Sequence, residues 1–383
     1  MGSSQKSSAA TSSTIASSKP TLGAEADKAV AKLMAVSGAT AVTFAAAKNG
    51  QLIYEKAYGF QDAGKTIPLN SDALMRTGSI VKPVTAAAIR KLAKNNLLSL
   101  SDHVFCTGSN APCWLPSSLL SATTDPRAKD ISIQHLISHK GGWLISVSLD
   151  AAYQEVAIKN QLQLSAPPTR ADIVRYMMAK PLAYAPGFPP DASFDSFSNF
   201  GFMLLGMIVE QASQKSYTDY VQTEIMAPLG IAAVDFKAGA SRLVDRNPRE
   251  PAYVTSAKCI SVYSGVQGIC AEEMREVANW LSVGFSITTA PAMALFAQHY
   301  LLPVNDYGVH SDDTGLALQQ TPNSYGRFMG DMEGLTSIVK QFPSGVSYAI
   351  FLNVTLISPE LVQSQAQYDY YYNYLDAISQ LTP

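Results

Sequence analysis

Serine followed three residues later by lysine occurs at Ser79–Lys82, at Ser337–Lys340 and at Ser3–Lys6. A serine hydroxyl beside an amine can be a nucleophile with its own base, the amine taking the hydroxyl proton as the oxygen attacks an acyl carbon. The three places are not equivalent. The stretch after Gly78 predicts a helix over 79–96, and at helical spacing residues i and i+3 share a face, so Lys82 can reach Ser79. A helix start also offers free N–H groups and partial positive charge, which favour a neutral lysine and stabilise an oxyanion. Ser337–Lys340 falls in an expected strand, where i and i+3 point to opposite faces. Ser3–Lys6 falls in a Ser-rich leader. Ser-x-x-Lys also arises by chance in a chain this rich in serine, so the surroundings of Ser79 must decide.

Other constellations carry less. His135 and His139 stand at i, i+4 in SIQHLISHK, which is metal-ligand spacing. The residue after His135 is Leu136 rather than the glutamate a metalloprotease needs, and no third ligand is evident. A structural helix and its cap explain the pair. No Gly-x-Ser-x-Gly elbow, phosphate loop or Gly-x-Gly-x-x-Gly after a strand is found, which leaves an α/β-hydrolase triad and nucleotide binding without support. The four cysteines form two local sets, Cys106 with Cys113 and Cys259 with Cys270. CTGSNAPC is turn-rich, so its ends can meet, and CISVYSGVQGIC can form a short hairpin closed by its ends. Neither has Cys-x-x-Cys spacing, so zinc is a poor reading. Two short disulfides would mean the periplasm or the cell exterior, and four free thiols in a cytosolic chain is the alternative.

These residues need a scaffold. At 383 residues the chain can form two domains or one large domain with an insertion. The composition, 47% hydrophobic and 15% charged, is that of a lightly charged globular protein. A net charge of −2 with scattered Lys and Arg offers no groove for nucleic acid. No apolar run is long enough for a membrane span. Residues 1–22, mostly Ser, Ala and Thr, are expected to form a disordered leader. Periodicity predicts a helix over 22–38, a hairpin turning at Asn49-Gly50, and helices over 79–96, 132–140, 199–213, 216–230 and 288–301. A second hairpin over 334–354 and a final helix over 367–381 follow. Strands at both ends with helices between predict an α+β fold. Residues 23–76 and 285–383 would build one antiparallel sheet flanked by helices, and 77–284 a mainly helical insertion.

The words around Ser79 carry a resemblance. MRTGSIVKPVTAAAIRKLAKNNLLSLSDHV (75–104) resembles the nucleophile segment of the serine β-lactamase and penicillin-binding-protein superfamily, in its class C-like, family VIII esterase-like branch. DISIQHLISHKGGW (130–143), SFSNFGFMLLGMIVEQASQKSYTDYVQTEIMAPLGI (196–231) and FSITTAPAMALFAQHYL (285–301) resemble further phrases of the branch, in order. The resemblance implies a β-lactamase/transpeptidase-like fold in which Ser79 forms an acyl-enzyme and Lys82 is its base. Asn199 matches the Asn of the family's Tyr-x-Asn motif, which bonds substrate and the catalytic lysine. Phe197 stands at that motif's Tyr, without the hydroxyl that shuttles protons to the leaving group. The intact Tyr371–Asn373 falls in the final helix and reads as surface.

The third motif aligns with Phe328-Met329-Gly330, where Gly330 is kept and Phe328 replaces the cation, as aromatics do in family VIII-type esterases. Without that cation a substrate carboxylate loses a partner, so the resemblance implies ester or amide substrates before peptides, and β-lactams last. The backbone N–H groups of Ser79 and Asp331 would form the oxyanion hole. Tyr184 and Tyr325 are aromatic hydroxyls that can lie near the cleft, with ordinary packing as the alternative. The expectation is a serine hydrolase or acyltransferase, periplasmic or secreted, needing no cofactor, acting on a small ester, amide or peptide. The alternatives are a D,D-peptidase or β-lactamase-like enzyme, and a binding protein whose activity was lost with the tyrosine at 197.

Overall fold

The computed structural model describes residues 22–108, 111–121, 123–188, 195–300, 302 and 326–356. Residues 1–21 of the expected leader, Tyr325, Tyr371–Asn373 and the final helix lie outside them, and Leu22 already belongs to a helix. Asn49 and Gly50 both take positive φ, 53° and 73°, as a two-residue hairpin loop requires. They join β1 (Ala41–Lys48) to β2 (Gln51–Gly59). Three later strands, β3 (Arg327–Met332), β4 (Leu335–Gln341) and β5 (Val346–Leu352), complete an antiparallel sheet in the order β3-β4-β5-β1-β2. β1 pairs with β5, Ala45 opposite Ala349.

Both faces of β1 are covered, which explains a strand that is almost continuously apolar. Val42, Phe44 and Ala46 share a core with Ala26, Val30 and Leu33 of helix α1 (Leu22–Ser37). Ala45 and Ala47 belong to the larger core. Their small side chains admit helix α4 (Ala290–His299), which packs against β1 and β5.

The chain enters the middle region through Met75–Arg76 and returns through Ser286–Thr288, and these short strands pair with each other, Met75 opposite Thr288. Between them lie helix α2 (Val81–Lys94) and helix α3 (Asn199–Ser213), packed together. The middle region also holds strands too short to leave a period in the sequence, Phe236–Ala238 among them. Its two cysteine sets are both bridged. Cys106–Cys113 has Cα atoms 5.0 Å apart, and Cys259–Cys270, 4.7 Å apart, closes a hairpin of Lys258–Ile260 and Gln267–Ile269. Among the described residues no helix is long and apolar enough to cross a membrane.

One buried amide knits these parts together. Asn353 Oδ1 accepts from the backbone N–H of Thr40 and of Ala41, both at 2.9 Å, while Nδ2 donates to Thr40 Oγ1 and to the Ala252 carbonyl. It therefore ties the end of β5 to the start of β1 and to the middle region. Asn353→Leu would leave these groups unpaired, and we expect a loss of about 2–3 kcal/mol of unfolding free energy, read from the urea midpoint.

Candidate active site

Ser79 lies in a 3-10 turn, Gly78–Ile80, that runs directly into α2. Three residues per turn eclipse positions i and i+3, and Lys82 Nζ donates to Ser79 Oγ at 2.9 Å. A second bond runs to the Val283 carbonyl at 2.8 Å. Lys82 is 1% exposed, and Nζ stands 4.8 Å from the centre of the Phe197 ring and 5.7 Å from that of Phe202. Burial pulls the lysine down to about 7, with the charge of Asp150 opposing. The lowering that the sequence ascribes to a helix-start field thus comes from burial.

The edge strand β3 lies against this turn. A Cβ on Gly330 would stand 2.4 Å from the Ser79 backbone nitrogen, and one on Gly78 would stand 2.9 Å from the Gly330 backbone. Gly78 also has φ 54°. Only glycine satisfies both demands, and the close approach sets the Gly330–Asp331 backbone beside Ser79. The Asp331 side chain accepts from Thr336 Oγ1. The second Ser-x-x-Lys lies in β4 as expected, yet Ser337 is engaged. It sits opposite Gly330, and its hydroxyl donates to the Thr77 carbonyl. Phe328, expected to touch substrate, is 1% exposed and belongs to the core, on the face of β3 that alternation gives to Gly330 and Met332.

The opposite wall comes from the start of α3. Ser198 caps that helix, its Oγ accepting from the Gly201 N–H, while its own N–H donates to His139 Nδ1 at 3.0 Å. His139 is buried and stacks on Phe197 with ring centres 4.5 Å apart. Burial, then the charge of Lys82, depresses it to about 3, so the ring is neutral. His135 completes a capping box with Ser132. The structural reading therefore fits His135, but His139 belongs to the wall of the site. The Tyr184 hydroxyl donates to the His139 carbonyl at 3.2 Å, bracing that loop.

Asn199 departs from expectation. Its Nδ2 donates to Asp150 Oδ2 at 2.6 Å, and its Oδ1 is buried without a partner, so it makes no hydrogen bond with Lys82. Asp150 is the residue sequence reasoning missed. It caps the turn Ala151–Tyr153, accepting from the Ala152 N–H at 3.0 Å. Burial raises its carboxyl above the ordinary value, against the hydrogen bonds of Ala152 and Asn199 and the charges of Lys82 and Arg275. The only signal in the sequence is an aspartate ahead of a short turn, which says nothing of chemistry.

Two outcomes follow from this geometry. Lys82 accepts a proton only when neutral, so Ser79 labelling by a fluorophosphonate should rise with pH around a midpoint of about 7 and fall as acid protonates the amine. Gly330→Ala must move β3 away from Ser79, and should slow labelling by roughly 10²–10³-fold, as expected for losing a donor from the oxyanion hole that the resemblance implies. Stopped-time mass spectrometry of the intact protein measures both.

The chain was compared with known proteins. The family model described as Beta-lactamase matches residues 26–250. Penicillin-binding protein 4* of Bacillus subtilis is 29% identical over 195 residues, 49% of this chain and 36% of that protein. Esterase EstB of Burkholderia gladioli is 27% identical over 202 residues, 52% of this chain and 47% of the esterase. These matches thus span less than half the length of either relative. Among solved structures, EstCE1, a hydrolase with promiscuous acyltransferase activity, is similar in fold, with a TM-score of 0.61 at 18% identity over 93% of this chain and 98% of that one.

Proposed function

Because the chain belongs to the beta-lactamase family, we propose that it is a serine hydrolase or acyltransferase working through an acyl-enzyme on Ser79. The observation that carries this reading is the 2.9 Å bond between Ser79 and a buried lysine lowered to about 7. Neutral Lys82 takes the hydroxyl proton as Oγ bonds to the acyl carbon, and the resulting oxyanion meets the N–H groups of Ser79 and Asp331. The carbon–heteroatom bond then breaks, the leaving group departs with the proton held by Lys82, and water or another nucleophile takes the acyl group from Ser79.

Phe197 sets the substrate order. A tyrosine there would hand a proton to the leaving group, and a phenyl ring cannot. Esters whose alcohols are weak bases need that help least, so small esters come first, amides and peptides next and β-lactams last. The buried Phe328 supplies no cation for a carboxylate, which supports the same order. The similarity to esterase EstB and to EstCE1 is in keeping with it. The two bridged cysteine pairs favour a periplasmic or secreted protein. A second reading, a binding protein without turnover, is favoured by Phe197 alone.

The test is the intact mass after exposure to a fluorophosphonate, a p-nitrophenyl ester and a penicillin, with Ser79→Ala alongside. We expect the first two reagents to add mass to the unsubstituted chain and none to add to Ser79→Ala. Silence from all three, persisting in Phe197→Tyr, would leave the binding-protein reading in place.

A further inference from the structure

Tyr253 and Ala271 each touch both the strand that leads to Ser79 and the hairpin that carries Asp331. The strand Met75–Arg76 pairs on one side with Ser286–Thr288. Successive N–H groups of a strand point to opposite sides. Thr77 donates to the Ser286 carbonyl at 2.8 Å, so the N–H of Arg76 points away from that partner. There the Tyr253 hydroxyl accepts from it at 3.2 Å and donates in turn to Glu250. The Arg76 side chain returns to the same group. Its guanidinium lies over the Tyr253 ring at 4.8 Å and stands 3.3 Å from Glu250 Oε1. It also donates to the Ala271 carbonyl at 2.6 Å and to the Ala240 carbonyl at 3.3 Å. Arg76 and Glu250 are both buried, so these bonds are made away from water, where they hold their geometry most firmly.

The hairpin meets the same two residues. Gly334 turns β3 into β4 with φ 78°, and a Cβ placed on it would stand 2.9 Å from that of Tyr253 and 3.4 Å from that of Ala271. Thr355 holds the turn as well, accepting from the Gly334 N–H at 2.8 Å and donating to the Met332 carbonyl. Arg275, 3.5 Å from Glu333, holds it from the segment that follows Ala271. Tyr253 and Ala271 are brought together by the hairpin between them, which the Cys259–Cys270 bridge closes. We propose that Tyr253 is a positioning residue that, together with Ala271, sets how closely the Gly330–Asp331 backbone approaches Ser79. It acts through Arg76 on the nucleophile side and through Gly334 on the sheet side. Ser79 follows Arg76 by three residues and Asp331 precedes Gly334 by three, so a shift at either contact is passed on within one turn of chain. This deepens the Ser79 reading, with the oxyanion hole that the resemblance implies, and rests on it.

The competing account is that this buried network only stabilises the fold. Tyr253→Phe keeps the ring against Gly334 and removes the hydroxyl. Arg76→Lys keeps the charge beside Glu250 but gives up the planar fork that reaches Ala240 and Ala271. The rate of Ser79 labelling by a fluorophosphonate, followed against pH by intact mass, separates the accounts once a urea transition has shown each variant to be folded. Neither side chain bonds to Lys82, whose partners are Ser79 and the Val283 carbonyl. We therefore expect labelling about 10–100-fold slower in both variants, as a small misplacement at a reacting centre costs, with the pH midpoint still at about 7. An unchanged rate in a folded variant, a midpoint that moves with the rate, or failure of both variants to fold overturns the proposal. Equal labelling of the unsubstituted chain and both variants removes this inference alone, whereas failure of the unsubstituted chain to label at all removes the hydrolase reading.

Discussion

A lysine buried between aromatic rings is expensive in its charged form, and the chemistry proposed for this site depends on that expense. In water the amine would hold its proton well above neutral pH and could not accept another. Enclosed by Phe197 and Phe202, with the Val283 carbonyl and the Ser79 hydroxyl as its hydrogen-bond partners, it falls to about 7. The same burial explains why α2 is apolar on so many sides. Eleven of its residues, from Val81 to Leu92, are buried, and a helix enclosed in this way holds the amine away from solvent.

Burial alone would give a base without a substrate site. The second wall is the edge of the five-stranded sheet, brought to Ser79 by a seam in which Gly78 and Gly330 leave no room for a side chain. Among the described residues β3 is an edge strand of that sheet, and it faces the turn that carries Ser79. Ser337 secures the seam from the sheet side through the Thr77 carbonyl. Asn353 secures the sheet to the middle region through the Ala252 carbonyl. Fold and site therefore share their fastenings, and a change in either glycine acts on both.

What the sequence made legible was what depends on neighbours along the chain. The Asn49-Gly50 turn, the bounds of α3 from Asn199 to Ser213 and the pairing of Ser79 with Lys82 are all set within one or two turns of backbone. The bond from Asn199 to Asp150 joins residues 49 apart, and no local pattern announces it. The i, i+4 spacing of His139 locates it on a helix and its cap and says nothing of the Phe197 ring that stacks on it. Strand spacing turns Ser337 and Lys340 to opposite faces and gives Ser337 no task. Its hydroxyl proves to bear on the first copy, through a contact that exists only once the sheet has docked.

Phe197 is where these strands of argument meet. A tyrosine there would put a second acid beside Lys82, and the lysine could rely on it for the leaving group. The phenyl ring removes that acid but keeps the enclosure that lowers Lys82, so the hydroxyl and the burial are separable contributions of one position. In the proposed mechanism, without that relay, one amine would both take the proton from Ser79 and give it up, and a group near 7 is suited to both tasks at neutral pH. A retained base and a lost relay describe a site tuned to leaving groups that need little help. Under the proposed mechanism that constraint selects on the leaving group, through a position whose ring and hydroxyl can be separated.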